Sequence, residues 1–528
     1  MMKKSIKMKK TVSILIFTFT FLGCAQSVKN NIGKAEMPNI IFIFSDDLSF
    51  RDLSCYGQTN FSTPNIDKLV NQSNRFTQAY TGAPACAPSR GTLLTGMHVG
   101  HQPIRMNSSA RGFEPLPAKL NTFPKMLQTA GYKTGVIGKW GLGFKNSTGN
   151  PLKQGFDYHF GYLTHYEAHS YFPLVLYENN EEIYFPKNNS LNMDVLYEKK
   201  PKKDNSKFED YYNEEGKLVK INLEEVTYAP DLFDEKAISF IDKNKGNPFL
   251  LYFATNLPHG PAIVDDLREL NSKEMDIHSK EWGAMVKRLD ISTGKIIKKL
   301  KEEQLYDNSV IIFASDNGYA MHMPRNGVNG ERIWDNNPDL NNKGEFKGGK
   351  FGVLEGGMRV PFAIKMPNQK ESNIINTPVW LIDLFPTFAE MANVELNHKL
   401  DGYSLVSLIK GNRESIPKDR FMYFYTNNEQ AVRKGSWYAF RSHPKKNIKL
   451  YLIEEDQYLL HNLANNYPNV VNEMKQIMDT AHEPSEWYWN PGDSRNDFQN
   501  KRIKATKTGQ LIKRYRPNNM ELMPWEKK

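Results

Sequence analysis

Four short apolar runs mark the chain at residues 39–44, 134–137, 249–253 and 310–314. Each is β-branched or aromatic and continuous, without polar alternation, as expected of strands buried on both faces of a parallel sheet. Helical patterns separate them. Thr63-Pro64-Asn65 offers an N-cap with proline at the first helical position, and Ile66, Leu69 and Val70 then recur at helical spacing. A longer helix is predicted from Val286, Leu289, Thr293, Ile296, Ile297 and Leu300, which fall on one face. This alternation predicts an α/β fold, a largely parallel central sheet sandwiched by helices.

The pattern breaks in two places. Residues 178–226 are polar and charged around Lys199-Lys200-Pro201-Lys202-Lys203, which predicts a solvated insertion, with the rim of an anionic site as the alternative. Beyond Asp401 the strands become shorter and aromatic, as in Trp437-Tyr438-Ala439-Phe440, and a helical pattern follows at 467–478. The expected organisation is a main domain at 37–400, a smaller C-terminal α+β subdomain at 401–483, and a tail at 484–528 without clear periodicity.

Composition adds compartment and partners. With 528 residues, 39% hydrophobic and 24% charged, the chain can bury a sizeable core and is neither disordered nor fibrous. The formal net charge of +10 draws half its excess from Lys3, Lys4, Lys7, Lys9 and Lys10. What remains suits a polyanionic substrate or a solvated surface, and no nucleic-acid partner is expected. The apolar run from Val12 to Leu22 is too short to span a bilayer and reads, with those lysines, as a signal peptide at 1–23. Phe21-Leu22-Gly23-Cys24 resembles a bacterial lipobox, so Cys24 is expected to carry lipid and anchor an exported, periplasmic or cell-surface protein to the membrane. An ordinary signal-peptide cut near Ala25 is the alternative. Of three cysteines, Cys55 is then left without a partner and Cys86 has another fate.

The chemistry lies just after the predicted strands, where open α/β sheets bind ligands. Asp46-Asp47 follows the first, Lys139 the second, His259 the third and Asp316-Asn317 the fourth. Asp46, Asp47, Asp316 and Asn317 form an all-oxygen set for one hard divalent cation, with calcium favoured over magnesium. Cys86 opens the string Cys86-Ala87-Pro88-Ser89-Arg90-Gly91-Thr92-Leu93-Leu94-Thr95-Gly96. If a helix starts at Pro88, Arg90 lies one turn on and can reach back to Cys86, where the helix N-terminus also favours an anion.

This Cys-x-Pro-x-Arg string resembles the modification site of the type I sulfatases, of the alkaline-phosphatase-like superfamily, in which the cysteine becomes formylglycine. Blocks at 39–47, 63–67, 131–140, 258–259, 315–318, 350–361, 383–387 and 400–402 resemble the family in the same order. The resemblance implies that Asp46, Asp47, Asp316 and Asn317 hold calcium together with the modified Cys86. It further implies that Arg90 and Lys139 stabilise the aldehyde hydrate, Lys350 binds sulfate, and His259 protonates the leaving alcohol, aided by Lys350. A maturase partner is implied as well. One departure stands out: many relatives read Gly-Lys-Trp-His-Leu-Gly where this chain reads Gly138-Lys139-Trp140-Gly141-Leu142-Gly143. His165 and His169 are candidates to replace that histidine or bind substrate, and His98, His101 and His322 are candidates to contact sugar. The expected function is exo-acting removal of sulfate from a sulfated glycan. The alternatives are a phosphodiesterase or phosphonate hydrolase of the same superfamily, and a non-catalytic glycan-binding surface protein.

Overall fold

The computed structural model describes residues 37–49, 51–191, 212–219, 221–260, 262–274, 277–320 and 346–512. The leader with Cys24, the lysine-rich centre of the insertion and His322 lie outside them.

The strands are β1 (Asn39–Ser45), β2 (Asn74–Phe76), β3 (Ala79–Tyr80), β4 (Lys133–Lys139), β5 (Tyr158–Tyr162), β6 (Val175–Glu178), β7 (Glu181–Tyr184) and β8 (Phe249–Ala254). They continue with β9 (Ser309–Ser315), β10 (Phe362–Lys365), β11 (Asn373–Ile375), β12 (Val379–Trp380), β13 (Phe421–Thr426), β14 (Glu429–Lys434), β15 (Trp437–Arg441) and β16 (Lys449–Leu452). Among the described residues the main sheet runs in the order β11-β2-β10-β9-β1-β8-β4-β5-β6-β7. Its centre, from β9 to β5, is parallel, and the four strands predicted from apolar runs are neighbours there.

Alternate residues of β1 face opposite sides, and each side has its own core. Ile41 and Ile43 pack with Phe233, Phe240, Val286, Leu289 and Leu300, from the helices Ala229–Asn244 and Ile277–Glu302. Ile40, Phe42 and Phe44 pack with Leu93, Leu94, Phe123, Leu127, Leu384 and Phe388, from the helices Cys86–Thr95, Phe123–Thr129 and Leu384–Met391. Fully burying each such side chain contributes about 1.5–3 kcal/mol, so this two-sided burial is what makes the central strands continuous in sequence.

The C-terminal sheet β13-β14-β15-β16 is antiparallel. Its Phe424 and Tyr438 share a core with Tyr80, Met358 and Trp380. Two expectations change in detail. The insertion begins as sheet, because β6 and β7 pair antiparallel at the edge and Tyr212 and Ile221 reach the core. The tail contains a helix, Arg495–Lys507, closed at its start by a Ser494–Asp497 capping box.

Candidate active site

β1 and β9 end level, with Ser45 opposite Ser315, so Asp46-Asp47 and Asp316-Asn317 emerge side by side. The Asp316 amide donates to the Ser45 carbonyl (3.1 Å), and the Asp47 amide to Asp316 Oδ1 (3.2 Å). Asp47 adopts φ 64°, a left-handed turn that aspartate tolerates better than most residues. Asn317 Nδ2 donates to Asp47 Oδ1 (2.7 Å), which leaves Asn317 Oδ1 buried without a hydrogen-bond partner. An orphaned carbonyl-type oxygen beside three buried carboxylates is the donor set that a hard divalent cation takes.

Cys86 is the first residue of its helix, two positions earlier than the sequence led us to expect. Its Sγ lies 3.6 Å from Asp46 Oδ1. Ala85 has no capping side chain, and Asn107, which the sequence did not single out, accepts from the Ala87 amide at 3.1 Å. Burial pushes the Cys86 thiol up to about 12, against the pull of Lys139 and Lys350. As a thiol it is therefore protonated at neutral pH and a poor nucleophile.

Arg90 lies one turn on and is buried. Its Nε and Nη2 donate to Asp316 Oδ2 (3.1 and 2.9 Å) and Nη1 to the Lys139 carbonyl (2.6 Å). These bonds go to the loop after β9 and the end of β4, a different target from the reach back to Cys86 that the spacing implied. Burial works against the guanidinium charge, but Asp316, with smaller contributions from Tyr252, Asp46 and Cys86, holds the group above its ordinary value. The same burial raises the Asp316 carboxyl, with Asp46 adding to it.

Two lysines complete the floor. Lys139 Nζ donates to Asp46 Oδ2 at 2.6 Å, and Lys350 Nζ lies 2.7 and 2.9 Å from the Asp47 oxygens. Burial opposes both charges, yet Asp46 beside Lys139 and Asp47 beside Lys350 raise both groups. Three carboxylates thus face three cations. A bound divalent cation would make the site net positive, suited to an anionic ester.

His259 Nδ1 lies 2.6 Å from the Gly260 carbonyl, which assigns the proton to Nδ1 and leaves Nε2 to accept from Lys350 Nζ at 3.2 Å. Burial, then Lys350 and His169, hold this imidazole well below its usual pKa. His169 stacks on it, with ring centroids 4.2 Å apart and planes 12° apart. His165 is buried, its Nδ1 without a partner, and burial with the nearby Lys139, Lys350 and Arg90 keeps it neutral. Gly141 adopts φ 86°, and a Cβ there would meet Arg90 Cδ and His165 Cβ, both at 3.5 Å. The space beside Gly141 is thus bordered by His165. His98 and His101 do not join the cluster: His101 Nδ1 lies 2.9 Å and His98 Nε2 3.9 Å from Asp401 Oδ2. The Gly100 amide donates to His98 Nδ1 (3.0 Å), so its Nε2 carries the proton, and the His98 backbone amide donates to Asp401 Oδ2 (2.9 Å).

Residues 38–394 match the family model described as Sulfatase. The chain belongs to the sulfatase family. Residues 348–485 match a second model, the C-terminal region of N-sulphoglucosamine sulphohydrolase, which spans the predicted subdomain boundary. The sulfatase is 28% identical over 506 residues to N-acetylgalactosamine-6-O-sulfatase of Bacteroides thetaiotaomicron, covering 87% of this chain and 96% of that one. It is 30% identical to human arylsulfatase H, over 74% of this chain and 75% of the relative. Among solved structures it resembles Ps i-CgsB, with a TM-score of 0.68 and 27% identity, over 90% of this chain and 100% of the other. The mixed sheet and its antiparallel C-terminal companion are accordingly of alkaline-phosphatase-like fold.

Proposed function

We propose that this sulfatase releases sulfate from the end of a sulfated carbohydrate, with Cys86 matured to formylglycine and one calcium ion held by Asp46, Asp47, Asp316, Asn317 and the modified Cys86. The observation that carries the reading is Cys86 at a helix N-terminus, 3.6 Å from Asp46 and clustered with Asp47, to which Asn317, its Oδ1 unsatisfied, is bonded. When present, the calcium supplies charge neutralisation at the sulfate and the formylglycine hydrate supplies the oxygen nucleophile. The carbohydrate reading draws on the N-acetylgalactosamine-6-O-sulfatase relative and on Ps i-CgsB, also solved with k-i-k-neocarrahexaose. Burial of Cys86, His259 and Lys350 favours a chain-end sugar over a continuous chain and so supports exo action.

The side chains divide the work. Lys139 and Arg90 hold positive charge beside position 86, Arg90 also fixing Asp316. Lys350 Nζ contacts the sulfate, and His259, whose Nε2 lies 3.2 Å from that nitrogen, protonates the leaving alcohol oxygen, aided by Lys350. His165 Nδ1 accepts the proton released as sulfate departs, in place of a side chain at Gly141. The His165→Ala enzyme is expected to lose about 10²-fold or more in kcat while still giving a burst of desulfated sugar equal to the enzyme present. A slow variant without the burst would place His165 in the first half-reaction instead.

A panel of sulfated mono- and disaccharides, including N-acetylgalactosamine 6-sulfate, tests the function. Turnover of at least one is expected, and a strong preference for a phosphate diester at equal concentration would refute the assignment. Chelation is expected to abolish turnover and lower the melting temperature, with calcium restoring both, because holo stability exceeds apo stability by mass action. The leader is proposed to place the enzyme on a bacterial membrane through lipidated Cys24. Fatty-acid labelling lost in Cys24→Ala checks this.

A further inference from the structure

We propose that Phe351 is the stacking platform for the substrate's pyranose ring, at the mouth of the site. The inference rests on the carbohydrate reading above and adds the residue that recognises the sugar face. Phe351 follows Lys350 directly, yet the two differ sharply in exposure, 47% for Phe351 and 6% for Lys350. A lone exposed aromatic side chain usually needs no explanation. This one has three features that call for one.

First, its place is fixed from both sides of the site. The Lys350 amide donates to the Tyr319 carbonyl (2.8 Å), two residues past Asn317, and the Phe351 amide donates to the Pro84 carbonyl (2.7 Å), two residues before Cys86. The dipeptide is therefore tied to the metal-ligand loop and the nucleophile loop at once. Second, Phe351 adopts φ 69°, in the left-handed region that a bulky residue enters only under strain. Glycine would hold this turn without strain, so the fold alone gives no reason for a phenyl ring here. Third, the ring centroid lies 5.5 Å from Lys350 Nζ, which itself touches Asp47 and His259. A sulfate held by Lys350 carries its sugar within about one pyranose width of that nitrogen, which brings the apolar C–H face of the sugar onto the phenyl face. The ring also borders the Lys350 cation, so sulfate and sugar are gripped by neighbouring residues.

The test uses the mature, calcium-loaded enzyme and the sulfated sugar from the panel that it turns over fastest. Phe351→Gly is expected to raise KM about tenfold with kcat within about twofold, whereas Phe351→Trp, which keeps a stacking face, holds KM near the parent value. Because glycine relieves the left-handed backbone, the Gly variant is expected to melt no lower than the parent. An unchanged KM in Phe351→Gly overturns the proposal and leaves the sulfatase reading intact. A lower melting temperature with KM preserved also overturns it, since Phe351 would then be a packing residue. If the parent hydrolyses no sulfated sugar, both readings fail together.

Discussion

Cys86→Ala is expected to lower kcat/KM by about 10⁴-fold or more while changing stability by no more than about 1 kcal/mol. The substitution removes one side-chain heavy atom from a tightly packed helix start, where among the described residues the Sγ makes one hydrogen-bond contact, the 3.6 Å one to Asp46. The carboxylates of Asp46, Asp47 and Asp316 are left in place, held by Lys139, Lys350 and Arg90. Calcium should therefore still raise the melting temperature of the variant. The combination matters, because a dead enzyme that still answers to calcium separates loss of the nucleophile from loss of the fold. Activity within about a hundredfold of the parent would mean that another group attacks sulfur.

Asp316→Ala is expected to fail in both activity and stability. Asp316 Oδ2 receives two hydrogen bonds from Arg90, and both side chains are almost fully buried. Removing the carboxylate leaves a guanidinium charge without its counter-ion in the interior, at a cost of about 3–5 kcal/mol. It also removes one proposed calcium ligand, so the calcium-dependent rise in melting temperature should vanish. The Arg90→Ala, Asp316→Ala double variant is expected to be more stable than Asp316→Ala alone, since the stranded charge is gone, although activity stays lost. Denaturant melts of the four proteins measure the coupling. Additive losses would show that the pair is not the stabilising unit described above.

The parts of the fold that were legible in sequence are those buried on two sides. β1, β8 and β9 are uniform apolar runs because helices cover both faces of the sheet. β5, with the sequence Tyr-His-Phe-Gly-Tyr, and the short β2, Asn-Arg-Phe, carry polar residues and gave no such signal. The tail helix was hidden for a related reason: Ala505 is its one buried residue, so no apolar stripe exists to be read. At the site, the residues that follow strand ends could be named one by one, but their pairing could not. His259 and Lys350 are 91 positions apart, and Arg90 and Asp316 are 226 apart. The sequence showed that position 141 lacks a side chain, and only the backbone contact reveals that His165 stands beside it. The contact between His101 Nδ1 and Asp401, 300 residues on, was likewise invisible in sequence.

On the proposed function Cys86 acts as formylglycine and not as a thiol. Mass spectrometry of the peptide containing Cys86, taken from a preparation that is turning over a sulfated sugar, tests it most directly. The peptide is expected to be about 18 Da lighter than the sequence requires, the change from thiol to aldehyde, in a fraction of molecules that tracks specific activity across preparations. Full activity in a preparation whose Cys86 peptide carries only the unmodified thiol would contradict it.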